Sequence, residues 1–266
     1  MGGVESGYVL FGIDFRENPE QAELIRQINQ DPKFLPVVFC KGSAGTGKTF
    51  AALAAALSLV RGKGAKKKYK TIFYVREPVE IGHRLGYLKG TEEDKYGPYL
   101  GPLLDNYNHL MEGIKDDQQH PMRKPKGPIG GGRMDDSIIS SPMYEKLPSD
   151  IVPLAPEFMR GRSFNDSIII VDEAQNMDLD ELQTMVTRIG RNSKMVIIGS
   201  PNQIDVEGQD VEHNAFEIAY SVLEPTKLVS MVELTAPMRT SFVTDFDLRF
   251  VEYKKTHPNW KKKKDK

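Results

Sequence analysis

Apolar residues along this chain follow two alternating rhythms. Runs such as Ile168-Ile169-Ile170-Val171 and Met195-Val196-Ile197-Ile198 are apolar at consecutive positions, the pattern of strands covered on both faces. Between such runs lie longer stretches with helical patterning. The predicted strands are Pro36–Lys41, Lys70–Val75, Ile151–Leu154, Ser167–Asp172, Lys194–Gly199 and Met231–Leu234. The predicted helices are Asn18–Gln30, Lys48–Arg61, Glu92–Ile114, Leu179–Ile189, Asn214–Leu223 and Thr240–Lys255. This alternation implies an α/β protein, a mostly parallel sheet with helices on both faces. Lys115–Asp150 breaks the rhythm: it is rich in Pro, Gly, Lys and Asp, centres on Gly130-Gly131-Gly132, and has no period. It reads as a long surface loop, either disordered or in contact with a substrate.

Composition narrows the class. With 266 residues and 39% hydrophobic content, the chain holds one sizeable domain or two small ones. No apolar run approaches the roughly twenty residues that span a bilayer, and the start lacks a secretion signal pattern. The expected location is cytoplasmic, with no membrane partner. A single cysteine, Cys40, excludes an internal disulfide, and five scattered histidines assemble no familiar zinc spacing. Net charge is −1, but Lys66, Lys67, Lys68 and Lys70 cluster, and the chain ends in Lys261–Lys264, Asp265, Lys266. Such runs are either solvated surface or sources of non-specific attraction to phosphate.

The most specific chemistry lies in Gly42-Ser43-Ala44-Gly45-Thr46-Gly47-Lys48-Thr49, after an apolar run and before an alanine-rich helix. Each part of this GxxxxGK[ST] spelling has a task. The glycines let backbone N–H groups curl around phosphate, the lysine reaches the outer phosphates, and the threonine hydroxyl ligates Mg²⁺. A second signal is the apolar strand ending in Asp172-Glu173. There Asp172 would hold the Mg²⁺ hydration shell and Glu173 would polarise an attacking water. A third is Gly199-Ser200-Pro201-Asn202-Gln203, a strand end followed by a polar amide that makes Gln203 a candidate γ-phosphate sensor. In an open parallel sheet, Lys48, Glu173 and Gln203 would converge at the carboxyl ends of the strands. No Asn-Lys-x-Asp guanine reader is present.

These residues resemble the PhoH-like family of phosphate-starvation ATPases, relatives of superfamily-one helicases. The likeness is carried by GSAGTGKT from Gly42, VREPVEIGHRLGYLKG from Val75, PYLGPL from Pro98, FMRGRSFND from Phe158, IIIVDEAQN from Ile168, TRIGRNSKMVIIG from Thr187 and NQID from Asn202. It spans roughly Asn18 to Val251. The resemblance implies a single RecA-like P-loop NTPase domain, ATP hydrolysis with Mg²⁺, action on RNA, and assembly into rings in some relatives. It divides the chain into an N-terminal extension (1–17), the ATPase domain (18–255, with the 115–150 loop inside it) and a basic tail (256–266).

The same resemblance adds two site residues. Gln21 looks like the helicase-type glutamine that reads adenine N6 and N7, and Arg239, in LTAPMR, is similar to the late arginine that neutralises the transferring phosphoryl group, within one subunit or across two. Arg160 and Arg162, and Arg76 with Glu77, Glu80 and Arg84, match family blocks whose chemistry the residues alone do not define. Ser200 departs from the Gly-Asp-x-x-Gln common in relatives, and Pro156-Glu157 looks inserted. The expected function is a Mg²⁺-dependent ATPase that couples hydrolysis to binding or remodelling of RNA or single-stranded nucleic acid, working as a homo-oligomer. A nucleotide-dependent binding switch with little turnover, and a small-molecule phosphotransferase, stay open beside it.

Overall fold

The computed structural model describes residues 7–64, 67–77, 100–115, 147–200 and 214–238, with 246, 249–250, 252–253 and 256–257 of the C-terminal stretch. Six strands form one sheet: β3 (Val37–Gly42), β4 (Thr71–Arg76), β5 (Ile151–Leu154), β6 (Ser167–Asp172), β7 (Lys194–Gly199) and β8 (Val229–Leu234). Their order across the sheet is β5-β4-β6-β7-β3-β8, and every pairing is parallel. All six residues of β6 and of β7 are buried, as their unbroken apolar runs require.

The two-residue period of a strand splits this burial between two layers. Ile168 and Ile170 face helices α1 (Pro19–Asn29), α2 (Lys48–Arg61) and α3 (Gly101–Lys115). Ile169 and Val171 face α4 (Leu179–Val186) and α5 (Ala215–Leu223). Ala51, Ala52, Ala54, Ala55 and Ala56 of α2 are fully buried, so side chains of minimal volume line the helix that carries the phosphate loop. The strand following that loop's own strand in space is β7, which separates β3 from the acid-bearing β6. This is the strand order of a RecA-like P-loop fold, a single α/β domain.

Several boundaries differ from expectation. β8 begins at Val229 rather than Met231, because it pairs with β3 from Val37 onward. α4 stops at Val186: Ile189 instead bridges Phe164, whose carbonyl accepts from Gly190 N at 2.9 Å. α3 runs from Gly101 to Lys115, and the predicted start at Glu92 lies outside the described residues. Most of the predicted Thr240–Lys255 helix and of the 115–150 loop lies outside them too. The segment before α1 contains an unanticipated hairpin, β1 (Val9–Leu10) paired with β2 (Ile13–Asp14). Phe11 and Gly12 turn it with φ of 55° and 78°, the two positive angles a two-residue hairpin prefers. Gly12 packs so closely on Gly113 of α3 that no Cβ would fit. Among the described residues, no helix is long and apolar enough to cross a membrane.

Candidate nucleotide site

The phosphate loop leaves β3 at Gly42 and enters α2 at Lys48. Gly47 caps the helix in the left-handed region at φ 80°, and a Cβ there would run into Nε2 of Gln21. Only glycine serves that position. Thr46 is buried and its hydroxyl donates to the Ser43 carbonyl at 3.0 Å, which rigidifies the turn. Ala44 and Gly45 form its outer rim, half-buried. The Lys48 ammonium lies across the loop and donates to the carbonyls of Gly42 and Ser43, both at 2.8 Å. Beneath it, burial pushes the Cys40 thiol up to about 12, so this side chain is inert core.

Strand periodicity puts Asp172 on the same face as Ile168 and Ile170, the α2 face. Asp172 is 2% exposed, and both oxygens of its carboxylate have partners. Oδ1 accepts from the Thr49 hydroxyl at 3.1 Å and from Glu173 N at 3.1 Å. Oδ2 accepts from the Tyr74 hydroxyl at 2.5 Å and lies 3.7 Å from Nη1 of Arg76. Tyr74 is fully buried, and burial first, then the Asp172 charge, pushes its hydroxyl well above the ordinary tyrosine value. It is therefore a permanent donor at neutral pH.

Glu173 occupies the left-handed region, φ 54° and ψ 39°, a conformation uncommon outside glycine and typical of strained functional positions. The kink ends β6, and both carboxylates reach the Arg76 guanidinium. Its Oε2 accepts from Gln175 Nε2 at 2.7 Å, and its Oε1 lies 4.0 Å from Arg76 Nη2. Gln175, fully buried, accepts in turn from the Ser200 backbone N–H at 2.8 Å. The ends of β6 and β7 are thus tied through one amide side chain. The link uses the backbone of residue 200, so serine makes it as well as aspartate would.

Gln21 comes from the first turn of α1, where Asn18 caps the helix by accepting from the N–H groups of Glu20 and Gln21, both at 3.1 Å. Its amide, 2% exposed, donates to the Thr46 carbonyl at 2.9 Å. The neighbouring Glu20 carboxylate accepts from Thr235 N at 2.7 Å and Ala236 N at 3.0 Å. Met238 N donates to Gly45 O at 2.8 Å. The chain leaving β8 is therefore fastened to the phosphate loop.

The structure thus brings together Gln21, the 42–49 loop, Asp172 and Glu173. Gln203 and Arg239 lie outside the described residues, as do Glu80 and Arg84. Arg160 and Arg162 are exposed on the turn after Met159, with Arg162 over the Phe164 ring at 5.2 Å. Tyr74, Arg76 and Gln175 are partners that motif spelling alone leaves unassigned. The donor set suits Mg²⁺: a hydroxyl and a carboxylate oxygen converge, and this ion is commonly held by one or two protein oxygens with phosphates and waters.

A family model described as PhoH-like protein matches residues 15–245. The chain belongs to the PhoH-like family. Among PhoH-like relatives, a PhoH-like protein of Mycobacterium tuberculosis H37Rv is 34% identical over 200 residues, covering 75% of this chain and 48% of the relative. Protein PhoH2 of Bacillus subtilis 168 is 36% identical over 190 residues, covering 71% of this chain and 36% of the relative. This PhoH-like chain therefore spans about half or less of the length of the curated relatives it matches. Among solved structures, the large terminase from a thermophilic bacteriophage is similar at TM-score 0.48 and 11% identity, over 86% of this chain and 49% of that one. Pif1 helicase from Candida albicans is similar at 0.37 and 16%, over 88% and 42%. The fold itself is read from the strand order.

Proposed function

We propose that this PhoH-like P-loop NTPase is a Mg²⁺-dependent ATPase that couples hydrolysis to binding or remodelling of RNA or another single-stranded nucleic acid. The observation that carries the reading is the 3.1 Å contact between Thr49 Oγ1 and Asp172 Oδ1, which joins the phosphate-loop helix to a strand two places away in the sheet.

In this reading the backbone N–H groups of residues 42–49 cradle the phosphates, and the Lys48 ammonium exchanges the carbonyls of Gly42 and Ser43 for phosphate oxygens. Thr49, and Asp172 through the hydration shell, would hold Mg²⁺, which would supply charge neutralisation to the triphosphate. Glu173 accepts a proton from the attacking water, its carboxylate oriented by Gln175 and drawn on one side by Arg76. Gln175 passes the position of Glu173 to the end of β7, which leads directly into the segment containing Gln203, the proposed γ-phosphate sensor. Gln21, exchanging its bond to the Thr46 carbonyl, reads adenine, and Arg239 neutralises charge on the transferring group. Loss of the γ-phosphate would relax these contacts and shift the attached loops. Movement along a strand takes two RecA-like domains, and a second copy of this chain would supply the other.

The test is ATP turnover by the purified chain with Mg²⁺, with and without RNA and DNA single strands. Glu173→Gln is expected to keep ATP binding while lowering turnover about 10²- to 10⁴-fold. Full turnover in that variant would remove Glu173 as the base. A wild-type rate indifferent to every strand tested would leave a nucleotide switch in place of a strand-coupled motor.

A further inference from the structure

Beyond the nucleotide site, the described residues near the C-terminus form a helix with an unusual face. Phe246, Arg249, Phe250, Glu252, Tyr253 and Thr256 are helical. His257 N donates to Tyr253 O at 2.9 Å, and the Thr256 hydroxyl to Glu252 O at 3.0 Å. Phe246, Phe250, Tyr253 and His257 follow one another at intervals of four, three and four residues, which confines them to a single narrow stripe about 16 Å long. Phe246 is 57% exposed, Phe250 67% and Tyr253 54%. The Tyr253 and His257 rings are stacked, with centroids 4.1 Å apart and planes 13° off parallel. Other large apolar side chains exposed among the described residues, such as Phe34 and Val222, are scattered. Here three aromatic rings and a histidine share one face.

Charge selects the occupant. From Phe246 to Lys266 the chain carries eight lysines and arginines against three acidic residues, whereas everything before Phe246 is net negative by six. The competing basic cluster around Lys66–Lys70 is partly committed: Lys68 donates to the Asn29 carbonyl and Lys70 pairs with Asp166 at 2.8 Å. A second copy of this segment would bring like charges together. A seam between helices would also favour aliphatic knobs over a row of rings. Flat aromatic faces beside dense positive charge are the means by which proteins hold single-stranded nucleic acid without reading its sequence, bases stacking on the rings and phosphates attracting the cations.

We propose that the face carrying Phe246, Phe250, Tyr253 and His257 is the strand-binding element of this protein, taking single-stranded nucleic acid by base stacking on Phe250 and Tyr253. This rests on the nucleic-acid reading above. It also separates strand binding from the nucleotide site, so each can be removed without the other.

The experiment is fluorescence anisotropy of a labelled oligouridylate against the full chain over a salt series, with sedimentation velocity of the same samples. Phe250→Ser combined with Tyr253→Ser is expected to weaken binding about ten-fold or more at each salt concentration and leave the salt slope unchanged, because stacking releases no counterions. Replacing Lys261–Lys264 with serine is expected to flatten the slope. Phe250→Tyr combined with Tyr253→Phe, which keeps the rings, is expected to bind as wild type. All three should hydrolyse ATP without RNA at the wild-type rate and melt within a few degrees of it. Undiminished affinity in the double serine variant overturns the inference while leaving the nucleic-acid function standing. So does a change in sedimenting mass with affinity intact, which would assign the stripe to a second copy. A wild-type chain that binds no single strand overturns both.

Discussion

At the scale of single residues, the site's least replaceable feature is the set of partners around Asp172. A carboxylate at 2% exposure is costly to bury unless it is hydrogen-bonded, and here Thr49, Glu173 N and Tyr74 donate to it with the Arg76 guanidinium nearby. Tyr74 was invisible to motif reading because it lies 98 residues away along the chain. Only the register Tyr74↔Ile170 and Arg76↔Asp172 makes it a neighbour. Removing its hydroxyl should therefore act on the acid. Tyr74→Phe is expected to lower stability by about 1–3 kcal/mol and to raise the Mg²⁺ concentration needed for half-maximal turnover severalfold. A stability loss with the Mg²⁺ titration unmoved would make Tyr74 a packing residue only. Gln21→Ala, by contrast, is expected to weaken preference for ATP over GTP, read from competition binding; unchanged preference would move adenine reading elsewhere.

At the scale of elements, legibility followed burial. Strands enclosed on both faces announce themselves as apolar runs, so Ser167–Asp172 and Lys194–Gly199 have the same limits in sequence and structure. β8 lies at the sheet's edge with a mixed burial pattern, and its first two residues, Val229 and Ser230, carry no such signal. The β1–β2 hairpin was illegible because Phe-Gly is not a usual hairpin turn pair; its conformation is supported by packing on α3. One polar residue inside a strand also matters here. Lys194 opens β7 fully buried, with its ammonium donating to the Gln27 carbonyl near the end of α1 at 3.1 Å. Burial, reinforced by Lys68 and opposed by Asp31, pushes its pKa down from 10.5 to about 7. Between those values the unfolded chain holds a proton that the folded chain lacks, so stability rises with pH across about 7–10.5 and is flat for this group below it. Lys194→Met should remove that rise, up to about 1.4 kcal/mol per pH unit, in urea melts at successive pH. Identical slopes in both proteins would show that Lys194 keeps its charge when folded.

At the scale of the whole molecule, the nucleotide site is where distant parts of the chain are fastened together. α1 contributes Gln21 and, through Glu20, holds the residues after β8. Met238 is bonded to Gly45, and Thr49 reaches Asp172 across 123 residues of sequence. A ligand seated there grips both halves of the sheet, so its binding free energy should appear as global stability rather than as local ordering. Mg²⁺ with a non-hydrolysable ATP analogue at about one hundred times its Kd should add about 2.7 kcal/mol. For a domain of this size that raises the melting temperature by roughly 5–10 °C, in one cooperative transition. Lys48→Ala should abolish most of the shift, because it removes the ammonium that in this reading reaches the phosphates. An equal shift in that variant would place the nucleotide elsewhere. Two separate transitions, only one responding to ligand, would mean that the described sheet and its helices are not one folding unit.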